Sequence, residues 1–232
     1  MKIVVPYSGG KGGVGKSTIL SFLGILLSRV RNVLLIDLSS EGGISSIVLG
    51  NPEPPYTRDV VESGDLFSAI GEYMVKVSDY EIRFWMVPNR GRIDGSLIPT
   101  LSKYYDDLSF FDLILIDLPT FQPGDEKFME YITNSNTVLM VAEPTLSSVN
   151  SLFQDSVEAD KIFVLNTPRP FSRNSIKQAI DVFRSRGIDP FFFPFDAAAS
   201  LASRNFIKAI ESLSKPFQES LLKLALKVGG EE

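Results

Sequence analysis

One stretch, Gly9-Gly10-Lys11-Gly12-Gly13-Val14-Gly15-Lys16-Ser17-Thr18, lies between a short apolar run typical of a strand, 3–5, and a helix-like run, 19–30. A strand, a glycine-rich loop and a helix in this order form a phosphate cradle, because backbone N–H groups point at the anion and glycine permits a close approach. Residues 10–17 match the template G-x-x-x-x-G-K-[ST], in which Lys16 reaches the terminal phosphates and the Ser17 hydroxyl ligates Mg²⁺. We therefore predict a nucleotide site in this loop. Its predicted binding residues are Gly10, Lys11, Gly12, Gly13, Val14, Gly15, Lys16, Ser17 and Thr18.

A second lysine near the start of the loop, Lys11, is not part of the general phosphate-loop template. Residues 11–18 resemble the deviant Walker A box of the ParA/MinD family of ATPases. In that family the early lysine crosses a dimer interface and touches the nucleotide of the partner subunit, so the resemblance implies this role for Lys11. The resemblance also implies ATP and Mg²⁺ as cofactors and a homodimer with ATP sandwiched between the subunits.

The composition restricts the chemistry open to the chain. It contains no cysteine, which excludes disulfides and the cysteine-dependent functions of the wider family, such as iron–sulfur cluster carriage. It contains no histidine, so catalysis would rest on carboxylates, lysine and Mg²⁺. The net charge of −5 argues against a uniformly basic surface for nucleic acid, although it leaves room for a local basic patch.

Length and hydropathy favour one domain over residues 1–232, although the length alone also allows two small ones. Hydrophobic residues make up 44% of the chain, enough for a sizeable core. No apolar run approaches the roughly 20 residues that span a bilayer. Lys2 is the only charged residue before the first apolar run, and that run is short, which is unlike a secretory signal. We expect a cytoplasmic protein.

Apolar runs rich in β-branched and aromatic residues recur between helical patterns, which favours an α/β fold. We predict a three-layer architecture, a mostly parallel central sheet with helices on both faces, of the P-loop NTPase type with a deviant Walker A box. Between residues 51 and 109 the pattern shows a single strand, at 84–87, besides helices. The predicted strands are 3–5, 33–36, 84–87, 113–116, 138–141, 162–165 and 191–193.

Polar residues follow several of these strands, where open α/β sheets bind ligands. Asp117 ends the run 113–116 and resembles the Walker B acid, which holds Mg²⁺ opposite the phosphate loop. Asp37 ends the run 33–36 and matches the first acid of the family's D-x-D pattern. We therefore predict Lys11, Lys16, Asp37 and Asp117 as the catalytic set. Ser17, Asp37 and Asp117 are the predicted metal ligands.

The second acid of the D-x-D pattern, which the family uses to place the attacking water, is Ser39 in this chain. A serine supplies no negative charge, so we expect nucleotide binding to be intact and hydrolysis to be weak. Glu41 is the candidate substitute, and the alternative is that 39–41 only opens the next helix. Ser45 falls where the family often carries a switch residue.

Two later segments resemble the parts of the family that contact the base. Asn166 ends the run 162–165, and an amide both donates to and accepts from an adenine edge. The residues after it do not form the Asn-Lys-x-Asp pattern that reads guanine, so we favour ATP over GTP. Pro194 and Asp196 lie in the late strand–loop segment that flanks the base in relatives. The alternative, that Asn166 is a simple turn residue, stays open.

Basic residues on two helical segments suggest a DNA surface. Arg173, Lys177 and Arg184 fall on one stripe of a predicted helix, and Arg204 with Lys208 forms a second pair. Such stripes can hold phosphates, and they are also common as ordinary solvated faces.

The last helical pattern, 217–228, has one apolar face and could lie on a membrane surface. The chain finishes in two acidic residues where an anchor would be basic, so we favour packing against the core.

Taken together, we expect an ATP-dependent dimerising switch ATPase in DNA partition, which binds nonspecific DNA and is stimulated by an adaptor protein that binds a DNA site. The alternatives are a MinD-like positioning ATPase at a membrane and a nucleotide-binding regulator that does not hydrolyse ATP.

Overall fold

The computed structural model describes residues 1–40, 43–122, 125–154 and 156–230. Within this part of the chain, eight strands form one sheet in the order β3-β4-β2-β5-β1-β6-β7-β8. All neighbouring pairs are parallel except β3 with β4. The strands are β1 Lys2–Tyr7, β2 Val33–Asp37, β3 Gly71–Val77, β4 Tyr80–Val87, β5 Leu113–Asp117, β6 Thr137–Ala142, β7 Asp160–Asn166 and β8 Phe191–Phe193.

Helices cover both faces of this sheet, which confirms the three-layer α/β prediction. Two hydrophobic cores result: α1, α2, α8, α9 and α10 pack on one face, and α3 to α7 pack on the other. Short 3₁₀ turns lie at Phe67–Ala69 and Asp107–Phe110. The helices are α1 Lys16–Leu27, α2 Ile44–Leu49, α3 Thr57–Ser63, α4 Ile98–Lys103, α5 Glu126–Thr133, α6 Leu146–Ser151, α7 Arg173–Arg184, α8 Ala197–Ser200, α9 Phe206–Ser212 and α10 Lys215–Gly229.

The central strands β2 and β5 are apolar up to the aspartate that ends each of them, because both of their faces are buried. Every residue of β2 and of β5 is buried, including the aspartate that ends each strand. Runs of this kind are typical of parallel sheets with helices on both sides. The arrangement brings the carboxyl ends of β2, β5 and β1 to one edge of the sheet, directly beside the start of α1.

The prediction of a single strand between residues 51 and 109 was wrong, because β3 pairs with β4 as an antiparallel hairpin. Tyr73 and Val75 of β3 face the core and stack against Phe84 and Ile82 of β4. The residues between them, such as Met74, are exposed, so along this edge strand exposed side chains alternate with buried or half-buried ones. That alternation dilutes the apolar content, and a search for continuous apolar runs therefore misses the strand.

The last helix packs against the sheet, as predicted. In α10, the buried side chains are Phe217, Leu221, Leu224, Ala225 and Val228. Phe217 packs edge-on against Phe22 of α1 and Phe193 of β8, with ring centroids 5.8 and 5.1 Å apart. Among the described helices, none combines the length and the apolar character needed to cross a bilayer.

Candidate nucleotide-binding site

The glycine-rich loop joins β1 to α1, as the sequence predicts. Its turn is closed by the backbone N–H of Lys11, which donates to the carbonyl of Ser8 at 3.1 Å, and by the Ser8 hydroxyl, which donates to the Lys11 carbonyl at 2.8 Å. Gly13 and Gly15 adopt φ values of +72° and +91°, a backbone conformation that residues with a side chain rarely adopt. Gly15 is the N-cap of α1, and the first turn carries no acidic residue, so its N–H groups present an uncompensated positive end.

Lys16 points into the site rather than into solvent. Only 7% of this residue is exposed, and its ammonium donates to the hydroxyls of Ser8 at 3.2 Å and Thr120 at 3.1 Å. Burial lowers the pKa of Lys16, and the nearby carboxylate of Asp117 opposes that shift. Both acceptors in contact with the ammonium are neutral, so the lysine can exchange them for an anion without breaking an ion pair.

Asp117 lies under this lysine at the end of β5. One carboxylate oxygen, Oδ2, accepts from the backbone N–H of Ile44 at 3.0 Å. The other, Oδ1, is buried and has no hydrogen-bond partner within the described residues. Burial raises the pKa of Asp117, whereas Ser17 and Lys16 favour its charged form.

The unpaired oxygen of Asp117 is the structural test for the predicted Mg²⁺. A buried polar atom without a partner is costly, so such an atom points to a missing ligand. Carboxylate and hydroxyl oxygens are the ligands that Mg²⁺ takes in phosphate-binding sites, and Asp117 and Ser17 lie together here. The donor set therefore fits the ion.

Asp37 is the in-register neighbour of Asp117 on β2. Its Oδ1 accepts from the N–H of Ser39 at 2.8 Å, and its Oδ2 accepts from the N–H of Ser45 at 2.9 Å and from the Ser45 hydroxyl. Burial, reinforced by the charge of Asp117, raises the pKa of Asp37 to about 7. Both oxygens thus hold the loop that follows β2, while a direct metal contact of Asp37 stays a prediction.

Ser39, which stands where the family's D-x-D pattern has its second acid, faces the site. Ser39 and Ser40 both line a cavity of about 580 Å³ that opens over the glycine-rich loop. Ser39 is buried and close enough to Asp117 to favour its charged form. The predicted substitute, Glu41, lies outside the described residues.

The same cavity brings together distant parts of the chain. The side-chain amide of Asn166, at the end of β7, donates to the carbonyl of Val14 at 2.8 Å, so this amide lies against the phosphate loop. Asp196 also lines the cavity, whereas Pro194 is not among its described lining residues. Burial raises the pKa of Asp196, but hydrogen bonds from Ser214 and Ala199 outweigh it and lower the pKa overall. Contact of these residues with a base stays a prediction.

Three residues around the site were not predicted from the sequence. Ser8 and Thr120 hold the ammonium of Lys16, and Asn89, which follows β4, donates its amide to the carbonyl of Ser39. All three lie one to three residues beyond the end of an apolar strand. The rule that ligand sites gather at the carboxyl ends of parallel strands could have found them.

The predicted DNA-binding residues are exposed but form two separate surfaces. Arg173, Lys177 and Arg184 lie on α7, and Arg184 forms a loose ion pair with Asp189 at 3.8 Å. The second pair is also exposed: Lys208 lies in the first turn of α9, and Arg204 lies in the turn just before it. Since α7 packs on one face of the sheet and α9 on the other, the two sets do not make one patch.

Comparison with known proteins supports this fold over the whole chain. The MinD cell division protein of Aquifex aeolicus superposes with a TM-score of 0.75 at 20% identity, covering 100% of this chain and 98% of that one. A ParA from pNOB8, solved bound to nonspecific DNA, superposes with a TM-score of 0.65 at 16% identity, covering 100% and 99%.

Curated sequence relatives include the septum site-determining protein MinD of Thermotoga maritima. It is 28% identical over 194 residues, which is 78% of this chain and 64% of the relative. The chain spans about half to two thirds of the length of the curated relatives it matches. A model of the CobQ/CobB/MinD/ParA nucleotide binding domain matches residues 7–226. The chain therefore belongs to the CobQ/CobB/MinD/ParA nucleotide-binding domain family.

Proposed function

We propose that this protein is an ATP-dependent switch that binds ATP with Mg²⁺, dimerises in that state, hydrolyses ATP slowly and binds nonspecific DNA as the ATP dimer. The observation that carries the nucleotide part is the unpaired buried oxygen of Asp117, which lies beside Ser17 and Lys16 beneath the cavity. A phosphate group would accept from Lys16, and a divalent cation would be held by Asp117 and Ser17.

The chain's own residues supply the binding chemistry. Lys16 would leave the hydroxyls of Ser8 and Thr120 and donate to the terminal phosphates, while the N–H groups of the loop and of the first turn of α1 hold the others. The chemistry that Mg²⁺ would supply when bound is neutralisation of phosphate charge. Asp117 and Ser17 would hold that ion, and Asp37 would keep the loop after β2 in place.

Hydrolysis is expected to be weak because no carboxylate occupies position 39. Ser39 can orient a water by hydrogen bonding, but it cannot take up its proton at neutral pH. In the proposed cycle, which takes place in the cytoplasm, an adaptor protein that binds a DNA site stimulates ATP hydrolysis. If the wild-type protein binds ATP and dimerises but hydrolyses no ATP under any condition, the alternative of a non-hydrolysing regulator replaces the switch ATPase.

Calorimetric titration with ATP, with and without Mg²⁺, tests the nucleotide site. Asp117→Asn should lower the affinity for Mg²⁺–ATP at least tenfold and leave the affinity for metal-free ATP within about threefold, because only the metal ligand changes. The matched control is Glu143→Gln, which changes a strand-end carboxylate that is paired with Arg169 at 3.0 Å outside the cavity. Absence of ATP binding by the wild type, or equal losses in both variants, would contradict the proposal.

Lys11 is the residue expected to bridge the two subunits. Its ammonium has no hydrogen-bond or ion-pair partner within the described part of the chain, so it is available to a second copy. Lys11→Ala should bind ATP normally and lose ATP-dependent dimerisation in light scattering, whereas Lys103→Ala, which removes an exposed lysine of α4, should dimerise like the wild type. Normal dimerisation of Lys11→Ala would remove the bridging role.

The stripe on α7 is the proposed DNA surface, and the ParA bound to nonspecific DNA is a structural precedent within the fold. Replacing Arg173, Lys177 and Arg184 by alanine should weaken ATP-dependent binding to duplex DNA. It should also reduce the slope of log affinity against log salt by roughly 0.9 for each DNA phosphate that the variant no longer neutralises. A charge-matched control replaces Lys76, Arg83 and Lys103, which are exposed elsewhere. Unchanged DNA binding by the α7 variant would reject this surface.

A second candidate surface is a membrane, favoured by the outer face of α10. Leu222 and Leu226 of this helix are 52% and 42% exposed, next to Lys223 and Lys227. Exposed leucines beside lysines match the pattern of helices that lie on anionic bilayers. Flotation with vesicles containing anionic lipid separates the two proposals: ATP-dependent flotation that Leu222→Ser abolishes, without DNA binding, would select the membrane.

A further inference from the structure

Asn89 is a buried residue behind the proposed nucleotide site, and it lies outside the motifs of the sequence. It is 3% exposed and lies two residues beyond β4. Its side-chain nitrogen donates to the carbonyl of Ser39 at 2.8 Å and to that of Gly91 at 3.0 Å. Its side-chain oxygen accepts from the N–H of Arg58 at 3.4 Å, so every polar atom of the amide is used.

The backbone around Asn89 holds the same segment at two further points. The N–H of Gly91 donates to the carbonyl of Ser40 at 3.0 Å. The N–H of Asn89 donates to the hydroxyl of Ser45 at 3.3 Å, and this hydroxyl in turn donates to Asp37. The loop after β4 therefore contacts the segment after β2 at Ser39 and Ser40, which line the cavity, and again at Ser45.

We propose that Asn89 is a positioning residue that holds Ser39 and Ser40 against the nucleotide cavity. The inference rests on the proposed function and deepens it, since it names the group that holds the Ser39–Ser40 part of the cavity lining in place. Ser39 and Ser40 line the cavity, and neither contacts the glycine-rich loop through a described hydrogen bond. With no carboxylate at position 39, the Ser39 hydroxyl and the backbone that places it are the groups left to orient a water there.

This geometry separates two kinetic effects. The groups that bind the phosphates, Lys16 and the loop N–H groups, make no described hydrogen bond to Asn89. Loss of the Asn89 amide should therefore leave the KM for ATP within about twofold, while kcat falls at least fivefold because the wall at Ser39 is no longer held. A residue that only stabilises the fold would not split the two constants in this way.

The test uses Asn89→Leu, which keeps the approximate shape, and Asn89→Ala as a second variant should the first fold poorly. Thr57→Val is the matched control: the Thr57 hydroxyl is buried and donates to the carbonyls of Val87 and Pro88, next to Asn89, but does not touch the 39–40 segment. Hydrogen–deuterium exchange of nucleotide-free protein, followed on peptides covering residues 38–45, is the readout that needs no activity.

We expect at least tenfold faster exchange at residues 39, 40 and 45 in the Asn89 variants, together with the kcat loss. We expect neither effect in Thr57→Val at similar stability. Wild-type exchange rates in both Asn89 variants, or an equal kcat loss in the control, would overturn the inference. If the wild type binds no ATP, the proposed function fails, and the exchange experiment still decides whether Asn89 holds the segment. If it binds ATP without turnover, exchange alone decides.

Discussion

The contact between Gly15 and Asn166 allows a quantitative prediction about the phosphate loop. Gly15 has a φ of +91°, and a Cβ there would collide with the side-chain nitrogen of Asn166, which donates to the carbonyl of Val14 at 2.8 Å. Alanine at this position costs about 1–2 kcal/mol for the left-handed backbone. Displacing the amide leaves a buried carbonyl unpaired, which costs about 1–3 kcal/mol more. Gly15→Ala should therefore destabilise the protein by about 2–5 kcal/mol.

A neighbouring glycine provides the control for the backbone term. Gly13 has a φ of +72°, and a Cβ there would meet nothing within 4 Å. Gly13→Ala should therefore cost only the backbone term of about 1–2 kcal/mol. The measurement is urea unfolding of nucleotide-free protein followed by circular dichroism, so that effects on phosphate binding do not enter.

A double-mutant cycle isolates the collision. Asn166→Ala removes the side chain that the new Cβ would strike, so in that background Gly15→Ala should cost only about 1–2 kcal/mol. The two substitutions together should destabilise less than the sum of the single changes, by about 1–3 kcal/mol. Equal costs for Gly15→Ala and Gly13→Ala, or strict additivity in the cycle, would refute the reasoning.

Two further predictions concern stability. Burial and the charge of Asp117 raise the pKa of Asp37 from 3.8 to about 7, so between these values the native state holds a proton that the unfolded chain has released. The free energy of unfolding of the nucleotide-free protein should thus fall as pH rises from about 4 to about 7, and Asp37→Asn should flatten this decline in urea titrations. A decline of the same steepness in the variant would show that another group causes it. The second prediction concerns Gly24, where a new Cβ would lie 2.6 Å from Leu35 Cδ2, so Gly24→Ala should lower the free energy of unfolding by about 1–3 kcal/mol in thermal or urea unfolding. The control is Gly229→Ala, whose Cβ would have its nearest neighbour at 3.7 Å and which should be close to neutral. Equal effects of the two substitutions would argue that α1 can shift away from the sheet.

The candidate site was predictable where its chemistry is local. The strand, the glycine-rich loop and Lys16 are adjacent in the sequence, and the strand-end position of Asp117 follows from an apolar run that stops at an acid. The partners of these groups were not predictable in the same way. Asn89 meets Ser39 across 50 residues, and no spacing rule links them, because their contact depends on β4 lying next to β2 in the sheet.

The sequence by itself determined the class of fold and the phosphate loop, because both depend on short-range properties: continuous apolar runs, and glycines that permit left-handed backbone and close approach. Tertiary structure alone decided which strand ends meet. It placed Asp37 beside Asp117, directed one oxygen of Asp117 to Ile44, 73 residues away, and left the other unpaired. It also set the basic residues of α7 and α9 on opposite faces of the sheet. Strand order and helix placement come from packing the whole chain into two cores, and no single segment contains that information.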